Sequence, residues 1–383
     1  MEDNDFNKKL NNHIVIKDIE VMTMRIPLKK PIKMSGLTIS FAENLFIKVI
    51  DENGFFGWGE ASSAPTMTGE FVEGMFAAAI FLKNQLIGKK IHSLKDLDIL
   101  SKLPIYENKG TLSAYEMALI DLISKLNNIS IINLLGSSKR KKIPIIQMVA
   151  GQNLDEEIFN LNKSIINGFK CFKIKVGSTG SYIDDLNRCE KIIRSASNQN
   201  CVFSADANEG YHHKDAVEFA LNAKNVGLSF FEQPVSAKNL SEMNNISLIS
   251  SVPICSDEGV HSSKDIDYIV KNKISHGVSL KTIKLGGMIE VLNCAKIASK
   301  NNLRVNLAGK VAETSISSLA IANLACCVPQ MDWDLSITNQ YLEEDPVSRP
   351  LLIENGYIEV ADTIGLGAEI DENAAKKFIQ LHS

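Results

Sequence analysis

The sequence predicts an α/β protein, a (β/α)8-type barrel preceded by a smaller α+β domain. Three observations predict it. Strand-like and helical runs alternate eight times after Pro144. Three strand-like runs followed by helical ones come before it. Lysines and acids recur at the ends of five consecutive barrel runs, one strand–helix unit apart.

In the first part, "HIVIKDIEVMTMRIPL" and "AENLFIKVIDENGFFGWGEA" read as strand, strand, a turn at "DENG" and a third strand. "TGEFVEGMFAAAIFLKNQLIG" reads as a helix with Thr68 at its N-cap, and "TLSAYEMALIDLISKLNN" as another from Thr111. The barrel strands are "IPIIQMVAG", "CFKIKVG", "CVFSADAN", "LSFFEQP", "PICSDE", "GVSLKTIK", "RVNLAG" and "MDWDLS", with amphipathic helices such as "SKDIDYIVKNK" between them. A doubly wound sheet would normally carry Gly-x-Gly-x-x-Gly after its first strand, which this chain lacks. Expected boundaries are 1–140 for the α+β domain, 141–354 for the barrel and 355–383 for a returning segment in which "GYIEV" adds a strand to the N-terminal unit.

The 383 residues suffice for a large and a small domain, and 45% hydrophobic with 22% charged residues is ordinary for a globular chain. A net charge of -4 without basic blocks points away from nucleic acid. Seven cysteines in apolar settings read as reduced thiols of a cytoplasmic protein. The polar start "MEDNDFNKK" does not read as a signal peptide, and no apolar run reaches the roughly 20 residues of a membrane span.

Polar residues at the C-terminal ends of barrel strands face the mouth. Strand two offers Lys173 and Lys175, strand three Asp206 and Asn208, strand four Glu232, strand five Asp257 and Glu258, and strand six Lys281. The steps from 175 to 206, 232, 257 and 281 are 31, 26, 25 and 24 residues. Three carboxylates in one mouth repel each other unless a cation compensates, and all-oxygen ligation suits Mg2+ or Mn2+. A cation held by Asp206, Glu232 and Asp257 would stabilise an enediolate while Lys175 and Lys281 move the α-proton on opposite faces. Lys173 would lower the pKa of Lys175 and touch the substrate carboxylate; Lys284 reads as structural.

These residues carry a resemblance. "KIKVG" (173–177), "DAN" (206–208), "EQP" (232–234), "SDE" (256–258), "KTIKLGG" (281–287), "GWGEA" (57–61) and "GLG" (365–367) together resemble the enolase superfamily, specifically its muconate lactonizing enzyme subgroup. The resemblance implies a modified (β/α)8 TIM barrel with an α+β capping domain, the metal ligands Asp206, Glu232 and Asp257, the acid/base pair Lys175 and Lys281, and a homo-oligomer. Subgroups using a histidine on strand seven are disfavoured, because "RVNLAGKVAET" has none. Two departures stand out: Gly259 after "CSDE", and Lys310 in "NLAGK", which reads as a solvated loop charge or a substrate contact.

The subgroup includes cycloisomerases, o-succinylbenzoate synthases, N-acylamino acid racemases and dipeptide epimerases. The loop "GEASSAPTMTGE", with Thr68 beside the substrate, resembles that of the epimerases. So does "MDWD", whose Asp332 and Asp334 would hold a free amino terminus at the end of strand eight; as the alternative, Asp334 caps the next turn. Leu37 stands where glutamate-preferring epimerases carry arginine, which suits an apolar or small side chain. The expected activity is epimerisation of a dipeptide, with N-acylamino acid racemisation, o-succinylbenzoate synthesis and cycloisomerisation as alternatives and a non-enzymatic barrel as the remote one.

Overall fold

The structure is a computed structural model that describes residues 10–34, 37–178 and 180–381. Strands β1 (Ile14–Met34) and β2 (Leu37–Asp51) pair antiparallel, with Met24 opposite Asn44, and β3 (Phe56–Ser62) extends the sheet beyond β2. The "DENG" turn is held by Asp51, whose Oδ1 accepts the N–H groups of Asn53 (3.0 Å) and Phe55 (2.8 Å), with Gly54 at φ +85°. A short β4 (Lys90–Ile91) pairs with β1.

Helices cover this sheet, but not from the caps the sequence suggests. Thr68 N and Gly69 N both bond Ala64 O in a turn, so the first helix, Val72–Leu86, starts only after Phe71. The second, Lys109–Asn127, begins two residues before Thr111 because a distant carboxylate caps it: Glu70 accepts from Gly110 N (2.9 Å) and Thr111 N (3.1 Å). The glycines of "GWGEA" let β3 lie directly on this helix. A Cβ at Gly57 or Gly59 would fall 2.1 Å from Ala118 O or 1.9 Å from Ala114 O.

The first barrel segment divides into β5 (Lys142–Pro144) and β6 (Ile146–Val149). Next come β7 (Cys171–Lys175), β8 (Val202–Asp206), β9 (Leu228–Glu232), β10 (Ile254–Ser256), β11 (Gly277–Leu280), β12 (Arg304–Ala308) and β13 (Leu335–Ser336). Strands β6 to β13 form one parallel eight-stranded sheet in sequence order, and a parallel bridge between Ile145 and Leu335 closes it. The protein is thus a modified (β/α)8 barrel with an N-terminal α/β cap.

Two expected strands are shorter. β11 stops at Leu280, and Thr282–Leu285 turns into a one-turn helix that ends on Gly286 at φ +87°. β13 begins only at Leu335, because Trp333 folds across the barrel base and stacks on Phe230 with centroids 4.4 Å apart. Gly277 leaves room for that ring, since a Cβ there would sit 2.5 Å from it.

The tail also differs from expectation. "GYIEV" supplies β14 (Tyr357–Glu359), which pairs with β5 rather than with the N-terminal sheet; β15 (Ile379–Gln380) is the strand that joins β1. "GLG" docks on the capping helix, with Gly365 N on Ser124 Oγ (2.7 Å) and Leu366 N on Asp121 Oδ1 (2.8 Å).

Two buried glutamates join cap to barrel. Glu60 accepts from Thr314 N (2.8 Å), Thr314 Oγ1 (2.7 Å) and Ser317 N (3.0 Å) at the start of the helix Ser315–Cys327. Glu116 accepts from Met288 N and Ile289 N at the start of the helix Met288–Lys300. Both place a carboxylate where a helix start leaves N–H groups unpaired. No helix among the described residues is long and apolar enough to cross a membrane.

Candidate active site

The parallel register sets adjacent strand ends level with one another. Lys175 is paired with Asp206, and Asp206 with Glu232. Side chains two apart on a strand share a face, so Lys173 and Lys175 point together into the barrel mouth. That answers why a hydrophobic strand carries two lysines: buried acids lie opposite. Lys173 bonds Glu232 and stands 4.0 Å from Asp206 Oδ2. Lys175 Nζ lies 2.6 Å from Asp206 Oδ2 and 2.7 Å from Asn208 Oδ1.

Across the mouth, Lys281 bonds Asp257 Oδ2, and Lys284 bonds Asp257 Oδ1 at 2.6 Å and Ser279 O at 3.1 Å. Lys284 is fully buried and reaches the acid because the chain turns helical straight after Lys281. Asn208 Nδ2 donates to Glu258 Oε1 at 3.0 Å, while Glu258 Oε2 is buried without a partner among the described residues. Asn208 (φ +43°) and Gln233 (φ +34°) hold left-handed backbone at the ends of β8 and β9, the kind of local strain that concentrates at functional sites.

The electrostatics follow these pairings. Burial would raise the Asp257 carboxyl, but Lys281 and Lys284 hold it well below the usual range. Burial acts the same way on Asp206, where Lys175 and Lys173 prevail and lower it. At Glu232 burial wins over Lys173, and the group is raised. Burial works against charge on Lys281, yet Asp257, Glu258 and Glu232 keep it protonated above its ordinary value. Glu258 is pushed up to about 8 by burial, with Asp257 and Asp206 adding to the rise.

Asp206, Glu232 and Asp257 offer an all-oxygen donor set on three adjacent strands, which fits a hard divalent cation. As the side chains stand, lysines hold these oxygens, and no three ligating side chains among the described residues converge closely enough to hold an ion.

The expected substrate contacts are placed differently. Asp332 and Asp334 precede β13 and lie at the N-terminal base of the barrel, opposite the mouth. Asp332 Oδ2 accepts Val305 N (3.0 Å), near the start of β12, and Asp334 Oδ2 accepts the thiol of Cys171 (2.7 Å), the first residue of β7. Asp334 neither reaches the mouth nor caps a helix, since β13 follows it directly. Thr68 lines a cavity of about 260 Å³ with Met67, Glu107, Asn108, Lys109 and His261; His261 Nε2 is 2.8 Å from Glu258 O, so the cavity adjoins the mouth. Leu37 opens β2 opposite Met34, and its side chain lies outside the described residues.

Lys310 is not a solvated loop charge. It is buried, and its one hydrogen bond among the described residues goes to Val311 O at 3.3 Å. The signal for this was its position in the otherwise uncharged run "VNLAGKVA".

Comparison with known proteins agrees with this architecture. Residues 16–136 match the family "Mandelate racemase / muconate lactonizing enzyme, N-terminal domain", and residues 160–374 match "Enolase C-terminal domain-like". The chain is 27% identical to a D-Ala-D/L-Ala epimerase of Cytophaga hutchinsonii, over 93% of this chain and 96% of that one. It is also 27% identical to the o-succinylbenzoate synthase of Bacillus subtilis, over 96% and 97%. The crystal structure of muconate lactonizing enzyme from Pseudomonas fluorescens superposes with a TM-score of 0.91 at 23% identity, covering 96% of this chain and all of the other. Family membership implies acid/base catalysis on a small carboxylate substrate with a divalent metal. The chain belongs to the enolase superfamily, in its mandelate racemase/muconate lactonizing enzyme subgroup, and is an isomerase.

Proposed function

We propose that this isomerase moves the proton α to a carboxylate between Lys175 and Lys281, and that its substrate is an N-acyl amino acid rather than a dipeptide with a free amino terminus. The observation that carries it is placement. Lys175 ends β7 and Lys281 follows β11, four strands apart in a ring of eight, so the two ammonium groups approach a bound substrate from opposite sides. Lys281, held protonated by Asp257, is the form that delivers a proton, and Lys175 is the partner that removes one. Lys173 stands between Glu232 and Asp206, where it can meet the substrate carboxylate. A cation held by Asp206, Glu232 and Asp257, Mg2+ or in its place Mn2+, would supply the positive charge that stabilises an enediolate.

The location of Asp332 and Asp334 argues against the dipeptide. An amino-terminal ammonium in the mouth would find neither aspartate within reach. Cycloisomerisation is a second reading, supported by the close likeness in shape to a muconate lactonizing enzyme; it needs one lysine as acid.

The test is mass spectrometry after incubation in deuterated water with Mg2+ and separate pools of N-acyl amino acids, L,L-dipeptides and cis,cis-muconate. One α-deuteron with inversion in the N-acyl pool, lost in both Lys175→Ala and Lys281→Ala, is expected. Exchange confined to dipeptides would overturn the substrate assignment, and turnover of muconate alone would establish the second reading.

A further inference from the structure

Four lysines at the mouth bond a carboxylate: Lys173, Lys175, Lys281 and Lys284. Lys310 bonds none among the described residues. An ammonium has three N–H donors, and the contact with Val311 O uses one of them. A buried, unpaired charge lowers stability and contributes nothing to packing that an apolar side chain would not.

The backbone beneath it is fixed. Gly309 N bonds Ser336 O (2.8 Å), Thr338 Oγ1 bonds Lys310 O (2.7 Å), and Glu313 N bonds Thr338 Oγ1 (3.0 Å). Lys310 therefore stands two residues past the end of β12, between the Lys281 side of the ring and β13. Glu313 and Asp257 are acids that act on it, but Asp257 is held by Lys281 and Lys284, and Glu313 forms no ion pair with the lysine among the described residues. Both carboxylate oxygens of Glu313 are buried without a hydrogen-bond donor among the described residues. Gly309 makes room for it, as a Cβ there would lie 2.4 Å from Glu313 Oε2.

Charge balance points the same way. Burial, with Glu60 adding, pushes Glu313 up to about 8, which leaves it mostly neutral at pH 7. Burial and the neighbouring Lys281 bring Lys310 down to about 8, still mostly protonated at pH 7; Lys175 and Asp257 are also among the charges that act on it. Ser336 Oγ, on the strand beside it, is a further buried polar atom without a partner among the described residues.

We propose that Lys310 determines specificity by binding a second carboxylate on the substrate, so that this enzyme takes dicarboxylates, such as amino acids whose N-acyl arm itself ends in a carboxylate. This rests on the reading of a carboxylate substrate between Lys175 and Lys281. One carboxylate is activated at the metal ligands, and the other closes the unpaired ammonium. A substrate with a terminal ammonium at that position meets like charge.

The experiment compares N-succinyl and N-acetyl derivatives of one L-amino acid, which differ by a single carboxylate, in the full chain with Mg2+. The wild type is expected to favour the N-succinyl compound in kcat/KM by about ten- to a hundredfold, the span of one charge-assisted hydrogen bond. Lys310→Met should erase the preference through KM, and Lys310→Arg should restore part of it. Thermal melting of Lys310→Met should show an unchanged or higher Tm, because an unpaired buried charge has been removed. Equal use of the two compounds by the wild type, or a preference that survives in Lys310→Met, would overturn the proposal. If neither compound exchanges its α-proton, the racemase reading fails, and calorimetric titration decides Lys310 by itself. Succinate should then bind about tenfold tighter than butyrate in the wild type and not in Lys310→Met; equal binding would sink the assignment.

Discussion

Asp334 Oδ2 accepts the thiol of Cys171 at 2.7 Å, tying the residue before β13 to the first residue of β7 at the base of the barrel. The bond braces the base of the ring, the face opposite the catalytic mouth. Asp334 also holds a left-handed backbone at φ +45°, which asparagine tolerates. Asp334→Asn is expected to lower stability by about 1 kcal/mol in chemical denaturation, the difference between a charged and a neutral acceptor for the Cys171 thiol. KM for every substrate should stay the same. A KM change for dipeptides alone would place Asp334 in the substrate pocket.

Removing one base should separate exchange from inversion. In Lys281→Ala, Lys175 still faces one side of the substrate, so one enantiomer should keep washing out its α-proton while inversion falls by about 10²–10⁴-fold. The opposite enantiomer should exchange in Lys175→Ala. Measuring α-proton loss by NMR for each enantiomer checks this; loss of exchange for both in either variant would argue against two faces.

Cation binding should be visible without turnover. The oxygens of Asp206, Glu232 and Asp257 are held by Lys173, Lys175, Lys281 and Lys284. A cation that binds only the folded chain stabilises it by about 2.7 kcal/mol at a hundred times its Kd. Chelator-treated protein is expected to gain Tm on addition of Mg2+, and Glu232→Gln to gain much less. An equal gain in both would place the cation elsewhere.

Glu116 makes the seam between cap and barrel depend on pH. Burial pushes its carboxyl up to about 7, against the amides of Ile289 and Met288 that it accepts from. Between the ordinary value of 4.5 and about 7, the folded state keeps a proton that the unfolded state has released. Stability therefore falls as pH rises through that window, by up to ~3 kcal/mol for this group, and the fall is complete above it. Glu116→Gln keeps an acceptor without a charge. Its Tm should decline less than that of the wild type between pH 5 and 8, and parallel declines would exclude Glu116 as the cause.

The sequence by itself determined the repeating strand–helix alternation, because hydrophobic period and turn residues are local properties. It also placed Lys173, Lys175, Asp206, Glu232, Asp257 and Lys281 at strand ends, since each of these runs ends within a few residues of its polar group. Only the tertiary structure decided what lay beyond the ends of short strands. "MDWDLS" alternates like a strand, yet Trp333 turns into the base to stack on Phe230, which carries Asp332 and Asp334 to the wrong end of the barrel for catalysis. "GYIEV" fits any sheet edge, and the edge it meets belongs to β5. In sequence Lys284 ends the strand-like run "GVSLKTIK" and Lys310 directly follows "RVNLAG", and neither position announces its partner. Packing buries both and, among the described residues, gives Lys284 an acid to bond and Lys310 only a carbonyl, because burial and partner depend on segments that meet only when the ring closes.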